Sequence, residues 1–102
     1  MSVTYEIVFH VKPEKRALFL SLLSGVLDAM RHEDTFISAT LHEDPSDPLR
    51  FMLIETWQDH QDVLDVQLAR PYRTEWHASL PALLKEDRLF SLWRELRNDS
   101  RR

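Results

Sequence analysis

The chain has 102 residues, of which 43% are hydrophobic and 29% charged, and its formal net charge is −4. These values are typical of one folded domain and argue against nucleic acid or an anionic membrane as the main partner, because both require a basic surface. The absence of cysteine excludes disulfides and thiolate metal sites. No apolar run approaches the roughly 20 residues of a membrane span, and no signal peptide is recognisable, so we expect a cytoplasmic protein.

The first segment predicts a strand followed by a helix. Apolar residues alternate over residues 3–11, which is typical of a strand. Pro13 suits the first turn of a helix, where its missing N–H does little harm, and the apolar spacing extends to about Arg31-His32. Gly25 lies inside this helix and, because glycine weakens helices, indicates a point of close packing.

The next segment predicts an antiparallel hairpin. Residues 35–43 and 49–57 have strand composition, and residues 44–48 are rich in proline, aspartate and serine, as turns are. The strand over residues 49–57 is apolar on both faces, which is unusual for a strand covered on one side only. We therefore expect helices to cover one face of the sheet and a second copy of the chain to cover the other.

The remaining elements are two helices and a last strand. Asp59 is a suitable N-cap for a helix over residues 59–68. Pro71 opens another helix that extends to Leu84, with Pro81 inside it as a residue that bends or ends it.

Residues 89–96 predict the fourth strand. We expect a single domain over residues 1–97 and a frayed tail over residues 98–102. The order β-α-β-β-α(α)-β matches an α+β, ferredoxin-like split β-α-β fold with a four-stranded antiparallel sheet.

Three segments together resemble the antibiotic biosynthesis monooxygenase (ABM) superfamily. They are the Lys12-Pro13-Glu14 helix opening, the sequence Glu55-Thr56-Trp57 before a polar helix start, and the block Trp76-His77-Ala78-Ser79-Leu80-Pro81-Ala82-Leu83-Leu84. The resemblance implies a dimeric α/β barrel, in which the sheets of a homodimer pack face to face. It also implies a small aromatic substrate, because the superfamily includes quinol and anthrone-type monooxygenases that use no cofactor, besides haem-degrading enzymes and proteins without a known reaction.

Two features depart from the pattern of the superfamily. Many members have a histidine before a leucine in the second helix, where this chain has Gln67-Leu68. Haem-degrading members pair an asparagine on the first strand with a tryptophan and a histidine, whereas the only asparagine here is Asn98. Haem degradation is therefore disfavoured, and we expect no cofactor.

Histidines are the candidate catalytic residues. A phenol or hydroquinone reduces dioxygen itself once it has lost a proton, so the protein must supply a base, and histidine can act as one near neutral pH. His77, on the helix expected to wall the pocket, is the first candidate, and His10 at the end of the first strand is the second. The alternatives are a half-exposed helix histidine and an exposed or dimer-face histidine. The other three histidines resemble surface residues, with no group of candidate catalytic residues around them: His32, His42 and His60.

Four residues are candidates for substrate binding. Trp57, Tyr72 and Trp76 could stack on a flat aromatic ligand, and Tyr72 and Trp76 are four residues apart, on one helix face. Arg73 could neutralise a phenolate. The alternatives are packing in the core or a dimer interface for the aromatic residues, and a solvated or carboxylate-paired side chain for the arginine.

We expect no metal site. The adjacent ligand types in His32-Glu33-Asp34 and His42-Glu43-Asp44 would point to opposite faces of a strand, and HExxH spacing is absent. Two functional hypotheses remain. The first is a cofactor-independent monooxygenase of a quinol-like or polycyclic phenolic substrate, and the second is a non-catalytic ligand-binding or stress-related dimer. A cavity into which His77 or His10 opens favours the first, and a space filled by aromatic residues favours the second.

Overall fold

The computed structural model describes residues 2–101, in which three α-helices pack on one four-stranded sheet. None of the helices in this range combines the length and apolarity that crossing a membrane requires. The elements in chain order are β1 (Val3–His10), α1 (Arg16–Met30), β2 (Phe36–Asp44), β3 (Asp47–Trp57), α2 (His60–Asp65), α3 (Thr74–Leu83) and β4 (Leu89–Trp93).

The strands lie in the order β2-β3-β1-β4, and each neighbouring pair is antiparallel. The first strand of the chain is therefore central, with β3 on one side and the last strand on the other. This order, with helical connections on one face, is that of the ferredoxin-like split β-α-β fold. The predicted fold class is confirmed.

The hairpin turn is tighter than predicted. β2 extends to Asp44 and β3 begins at Asp47, so only Pro45 and Ser46 remain between the strands. The Asp44 carboxylate accepts the backbone N–H of Ser46 at 2.8 Å, which is the local bond that makes aspartate a turn residue. The third strand therefore begins inside the segment that was predicted as a turn, because proline is tolerated near the start of a strand.

The strands at the other side of the sheet are shorter than predicted. β4 ends at Trp93 rather than at residue 96, because Trp93 pairs with Thr4 and β1 begins only one residue earlier, at Val3. At the opposite end of β1, Val11 leaves the strand and forms an isolated bridge with Leu84.

Alternation along β1 and β3 decides which side chains lie beneath the helices. The inward residues are Val3, Tyr5, Ile7 and Phe9 on β1, and Phe51, Leu53, Glu55 and Trp57 on β3. The residues between them are half-buried or exposed and form what we call the open face of the sheet, which includes Val8 and Ile54. One charged residue, Glu55, therefore stands among the inward apolar positions.

α1 covers the sheet with one apolar stripe at helical spacing, formed by Phe19, Leu23, Val26 and Met30. The Phe19 ring lies 5.1 Å from the rings of Phe9 and Phe51 and 5.6 Å from that of Trp76. These aromatic contacts join α1, α3 and both inner strands at one end of the core.

The helices after β3 are more broken than predicted. Asp59 caps α2 as expected, its carboxylate accepting the backbone N–H of Gln61 at 3.0 Å, but α2 ends at Asp65. A 3₁₀ turn follows over Gln67–Ala69, and Arg70 is extended because the residue before a proline disfavours the helical conformation.

Pro71 opens a single 3₁₀ turn, Pro71–Arg73, and α3 begins only at Thr74. Pro81 does not end α3, which continues to Leu83. Pro81 has no N–H to donate to the carbonyl of His77, so α3 lacks one backbone hydrogen bond there and ends two residues later.

The expectation that Gly25 marks close packing is wrong. Gly25 is exposed on α1, and a Cβ atom built on it would meet nothing within 4 Å beyond its own helix. The helix tolerates this glycine because the α1 stripe, not local propensity, holds it on the sheet.

We expect Gly25→Ala to raise the free energy of unfolding by about 1 kcal/mol, because alanine loses less backbone entropy in a helix. Urea denaturation followed by circular dichroism measures the change. Ser24→Gly at the neighbouring exposed position should act in the opposite direction. A loss of stability in Gly25→Ala would show that this helix face is packed against something.

Candidate functional site

A cavity of about 350 Å³ lies between the sheet and the helices. Much of its wall is apolar and comes from inward strand residues such as Ile7 and Leu53 and from the α1 stripe. Its polar side chains converge from distant parts of the chain and are Tyr5, Glu55, His60, Arg73, His77 and Arg88. A mostly apolar space with a few converging polar groups is the usual form of a small-molecule site.

His77 stands where this cavity meets the surface. An open depression of about 740 Å³ adjoins the cavity and shares with it the side chains of Leu68, His77 and Arg88. Burial lowers the pKa of His77 below 6.5, and the positive charges of Arg88 and Arg73 lower it further. The imidazole is therefore neutral at pH 7 and able to accept a proton.

Among residues 2–101, Arg73 is neither solvated nor paired with a carboxylate, which were the alternatives that the sequence left open. It is only 5% exposed, and its Nε and Nη2 atoms are buried without a hydrogen-bond partner. The guanidinium lies 5.8 Å from the ring centroids of Trp57 and Tyr72, so aromatic faces provide its nearest favourable contacts.

Glu55 places a carboxyl group inside the cavity, and the sequence reading assigned it no role. It is 6% exposed, and its Oε1 atom accepts the indole N–H of Trp57 at 3.1 Å. Burial raises the pKa of Glu55, while the Trp57 hydrogen bond and the charges of Arg73 and Arg88 oppose that rise. The sequence does contain a sign of this role, because Glu55 is the one acidic residue among the inward positions of β3, which are otherwise apolar.

The expectation that His60 is a surface histidine with no constellation around it is wrong. Its Nδ1 atom lies 2.7 Å from the hydroxyl of Tyr5, and both side chains line the cavity. Burial, with the negative charges of Glu55 and Asp59, raises the pKa of Tyr5 to about 12. The phenol therefore stays protonated, and its hydroxyl forms a hydrogen bond with His60 Nδ1.

The structure places the predicted substrate-binding residues differently. Trp76 and Arg73 line the cavity. Trp57 is fully buried and packs edge-on against Phe36 at 5.3 Å, and its hydrogen bond to Glu55 links it to the cavity. Tyr72 lies in the 3₁₀ turn before α3 and donates its hydroxyl to Glu33 at 2.9 Å, outside the cavity wall.

His10 is separated from His77 by the sheet. Its side chain belongs to the open face, where Nδ1 lies 2.6 Å from an Oε1 atom of Glu86. Alternation along β1 causes this, because Phe9 takes the inward position beside it.

Gln67 also points away from the cavity. Its amide donates to Asp62 at 3.2 Å and to Thr35 at 3.4 Å, whereas the neighbouring Leu68 lines the cavity wall. The position at which many superfamily members have a histidine therefore has a structural role in this chain.

Within residues 2–101, no three histidine, aspartate or glutamate side chains converge as metal ligands. The groups that the cavity offers to a ligand are instead a neutral base, a buried guanidinium, a carboxyl group and a tyrosine–histidine pair. They suit the binding and deprotonation of a small aromatic molecule.

We expect His77 to titrate below pH 6.5 in an NMR titration of its ring protons. Because the unfolded chain then binds more protons, the contribution of His77 to stability falls as the pH decreases from 6.5 toward the folded-state pKa. Arg88→Gln should raise the pKa of His77, since it removes a nearby positive charge. Arg31→Gln, at an exposed position outside the cavity, should leave it unchanged.

Comparisons with known proteins identify the family of this chain. The sequence model of the family described as antibiotic biosynthesis monooxygenase matches residues 2–79. An uncharacterized protein of Synechocystis sp., sll1783, is 31% identical over 74 residues, which are 72% of this chain and 50% of that protein. The chain thus spans half the length of this curated relative.

Solved structures share the fold at low sequence identity. Rv0793 from Mycobacterium tuberculosis has a TM-score of 0.87 at 22% identity, covering 98% of this chain and 100% of that one. SnoaB, a cofactor-independent oxygenase from Streptomyces nogalater, has a TM-score of 0.81 at 23% identity, covering 95% of each chain. Because the family match extends over most of the sequence, the chain belongs to the antibiotic biosynthesis monooxygenase family.

Proposed function

We propose that the protein is a monooxygenase that oxidises a quinol-like or polycyclic phenolic substrate without a bound metal or organic cofactor. The observation that carries this proposal is the largely apolar cavity with His77, a half-buried neutral base, at its opening. The description of the structural neighbour SnoaB as a cofactor-independent oxygenase supports the reaction class.

His77 is the proposed base. It removes the acidic proton of the substrate, and the resulting anion donates one electron to O₂. The radical pair combines to form a carbon–oxygen bond, and the peroxide takes back the proton from His77. The carbon that bears the peroxide then loses its remaining hydrogen as the O–O bond breaks. The products are a carbonyl group on that carbon and a molecule of water. One O₂ is consumed for each substrate, and the substrate supplies all four electrons.

The other cavity residues hold the substrate and its charge. Arg73, which pairs with no carboxylate among residues 2–101, offers positive charge to the substrate, including the anion that forms after deprotonation. Trp76 offers an apolar ring surface, and the apolar wall limits the access of water to the reactive anion. His10, Trp57 and Tyr72 lie outside the cavity wall, so the proposal gives them no contact with the substrate.

Oxygen uptake with a panel of hydroquinones and anthrones, in metal-free buffer with a chelator, tests the proposal. We expect uptake that survives the chelator, falls about a hundredfold or more in His77→Ala, and is unchanged in the exposed control His32→Ala. The rate at low substrate concentration should rise with pH through a midpoint below 6.5, because only neutral His77 accepts a proton.

Unchanged uptake in His77→Ala would keep the activity and remove His77 from the mechanism. Uptake no faster than the uncatalysed reaction across the panel would favour the alternative, a ligand-binding dimer without catalysis.

We also propose a homodimer formed through the open faces of two sheets. Strand pairing places Leu89 and Trp93 on the same side of the sheet as Val8 and Thr4. The side chain of Leu89 is 68% exposed and that of Trp93 is 57% exposed. Ile54 belongs to this face as well. Exposed apolar residues of this size on one sheet face are typical of a protein–protein interface.

Sedimentation at micromolar concentration should give the mass of two chains, and Ile54→Glu should shift it toward one chain, because a charge would be buried in the interface. Glu75→Gln at an exposed position of α3, on the other face of the sheet, is the matched control. A single-chain mass for the unmodified protein would contradict the dimer.

A further inference from the structure

Positively charged side chains outnumber negatively charged ones in the cavity wall, although the whole chain has a net charge of −4. The charged side chains of this wall are Arg73, Arg88 and Glu55. An arginine stays protonated in proteins, whereas the pKa of a buried carboxyl group rises. Burial has this effect on Glu55. The cavity therefore presents two permanent cations against at most one anion.

Arg73 differs from the paired arginines of this chain. Five others lie within 4.0 Å of a carboxylate oxygen, namely Arg16, Arg31, Arg50, Arg70 and Arg97. Arg73 forms no such pair with a described residue, although it is only 5% exposed. Among residues 2–101, the most deeply buried arginine thus lies without a carboxylate partner within 4.0 Å.

Glu55 does not neutralise Arg73 by direct contact. Its Oε1 atom is engaged by the Trp57 indole N–H, and no ion pair joins it to Arg73 within the described residues. A buried guanidinium without a counter-ion is costly, because water no longer solvates the charge. Such an arrangement is stabilised when an anion enters the cavity.

We propose that the cavity binds an aromatic carboxylate, with the carboxylate toward Arg73 and Arg88 and the ring against Trp76 and the apolar wall. This inference rests on the proposed function for the reacting hydroxyl, and it narrows the substrate to an aromatic acid. A phenol is neutral at pH 7 before it reacts, so it cannot supply this charge on binding. A carboxylate is already ionised and matches the planar fork of a guanidinium.

Titration calorimetry with 2-naphthoate and 2-naphthamide at pH 7 tests the charge preference. The two probes have similar shape, and neither has a hydroxyl group to be oxidised. We expect the naphthoate to bind at least about tenfold more tightly, as charged hydrogen bonds do. Arg73→Gln should abolish this ratio, Arg88→Gln should reduce it, and the exposed control Arg31→Gln should leave it unchanged.

Arg73→Lys is a second variant that keeps the test valid if Arg73→Gln does not fold. It keeps the charge, so it should retain a preference for the naphthoate even with weaker binding. Circular dichroism and thermal melting establish that each variant is folded. If Arg73→Gln does not fold, the ratio in Arg73→Lys and Arg88→Gln decides.

Equal affinity for the two probes, or no binding of either at millimolar concentration, would overturn the inference. The outcome is independent of catalysis. A naphthoate preference without oxygen uptake on any quinol would keep the anion site and refute the oxygenase. Oxygen uptake on neutral quinols, with equal affinity for the naphthoate and the naphthamide, would support the oxygenase and refute the anion site.

Discussion

The candidate site depends on the register between β1 and β3. Tyr5 pairs directly with Glu55, and Ile7 pairs with Leu53, so these side chains leave the sheet on the same side and lie next to one another. A slip of one residue would turn them to the open face and bring their polar or half-buried neighbours beneath the helices. The floor of the cavity is thus set by backbone hydrogen bonds rather than by the residues of the site themselves.

Burial acts in opposite directions on the ionisable groups around that floor. It lowers the pKa of His77 and raises those of Glu55 and Tyr5, in each case favouring the neutral form. Arginine is the exception, because its guanidinium loses its proton only far above neutral pH. The same desolvation therefore favours a neutral His77 and leaves Arg73 a cation that has no carboxylate partner among residues 2–101, which links the proposed chemistry to the proposed charge of the substrate.

The break before Pro71 positions the face of α3 that lines the cavity. Because Arg70 is extended, the chain restarts its helical path at Pro71, and Arg73 ends the first turn. Trp76 and His77 follow three and four residues later, which is the spacing of neighbours on one helix face. All three line the cavity. A continuous helix from residue 59 would have given this face another direction relative to the sheet.

The sequence by itself determined the strand alternation, the hairpin, the helix order and the grouping of Arg73, Trp76 and His77, because these depend on residues close together in the chain. Only the tertiary structure decided that His60 reaches Tyr5, 55 positions away, and that Glu55 and Arg88 share one cavity with them. It also decided that Tyr72 and Trp57 pack elsewhere. Contacts between distant residues depend on strand register and helix placement, and no local pattern specifies either.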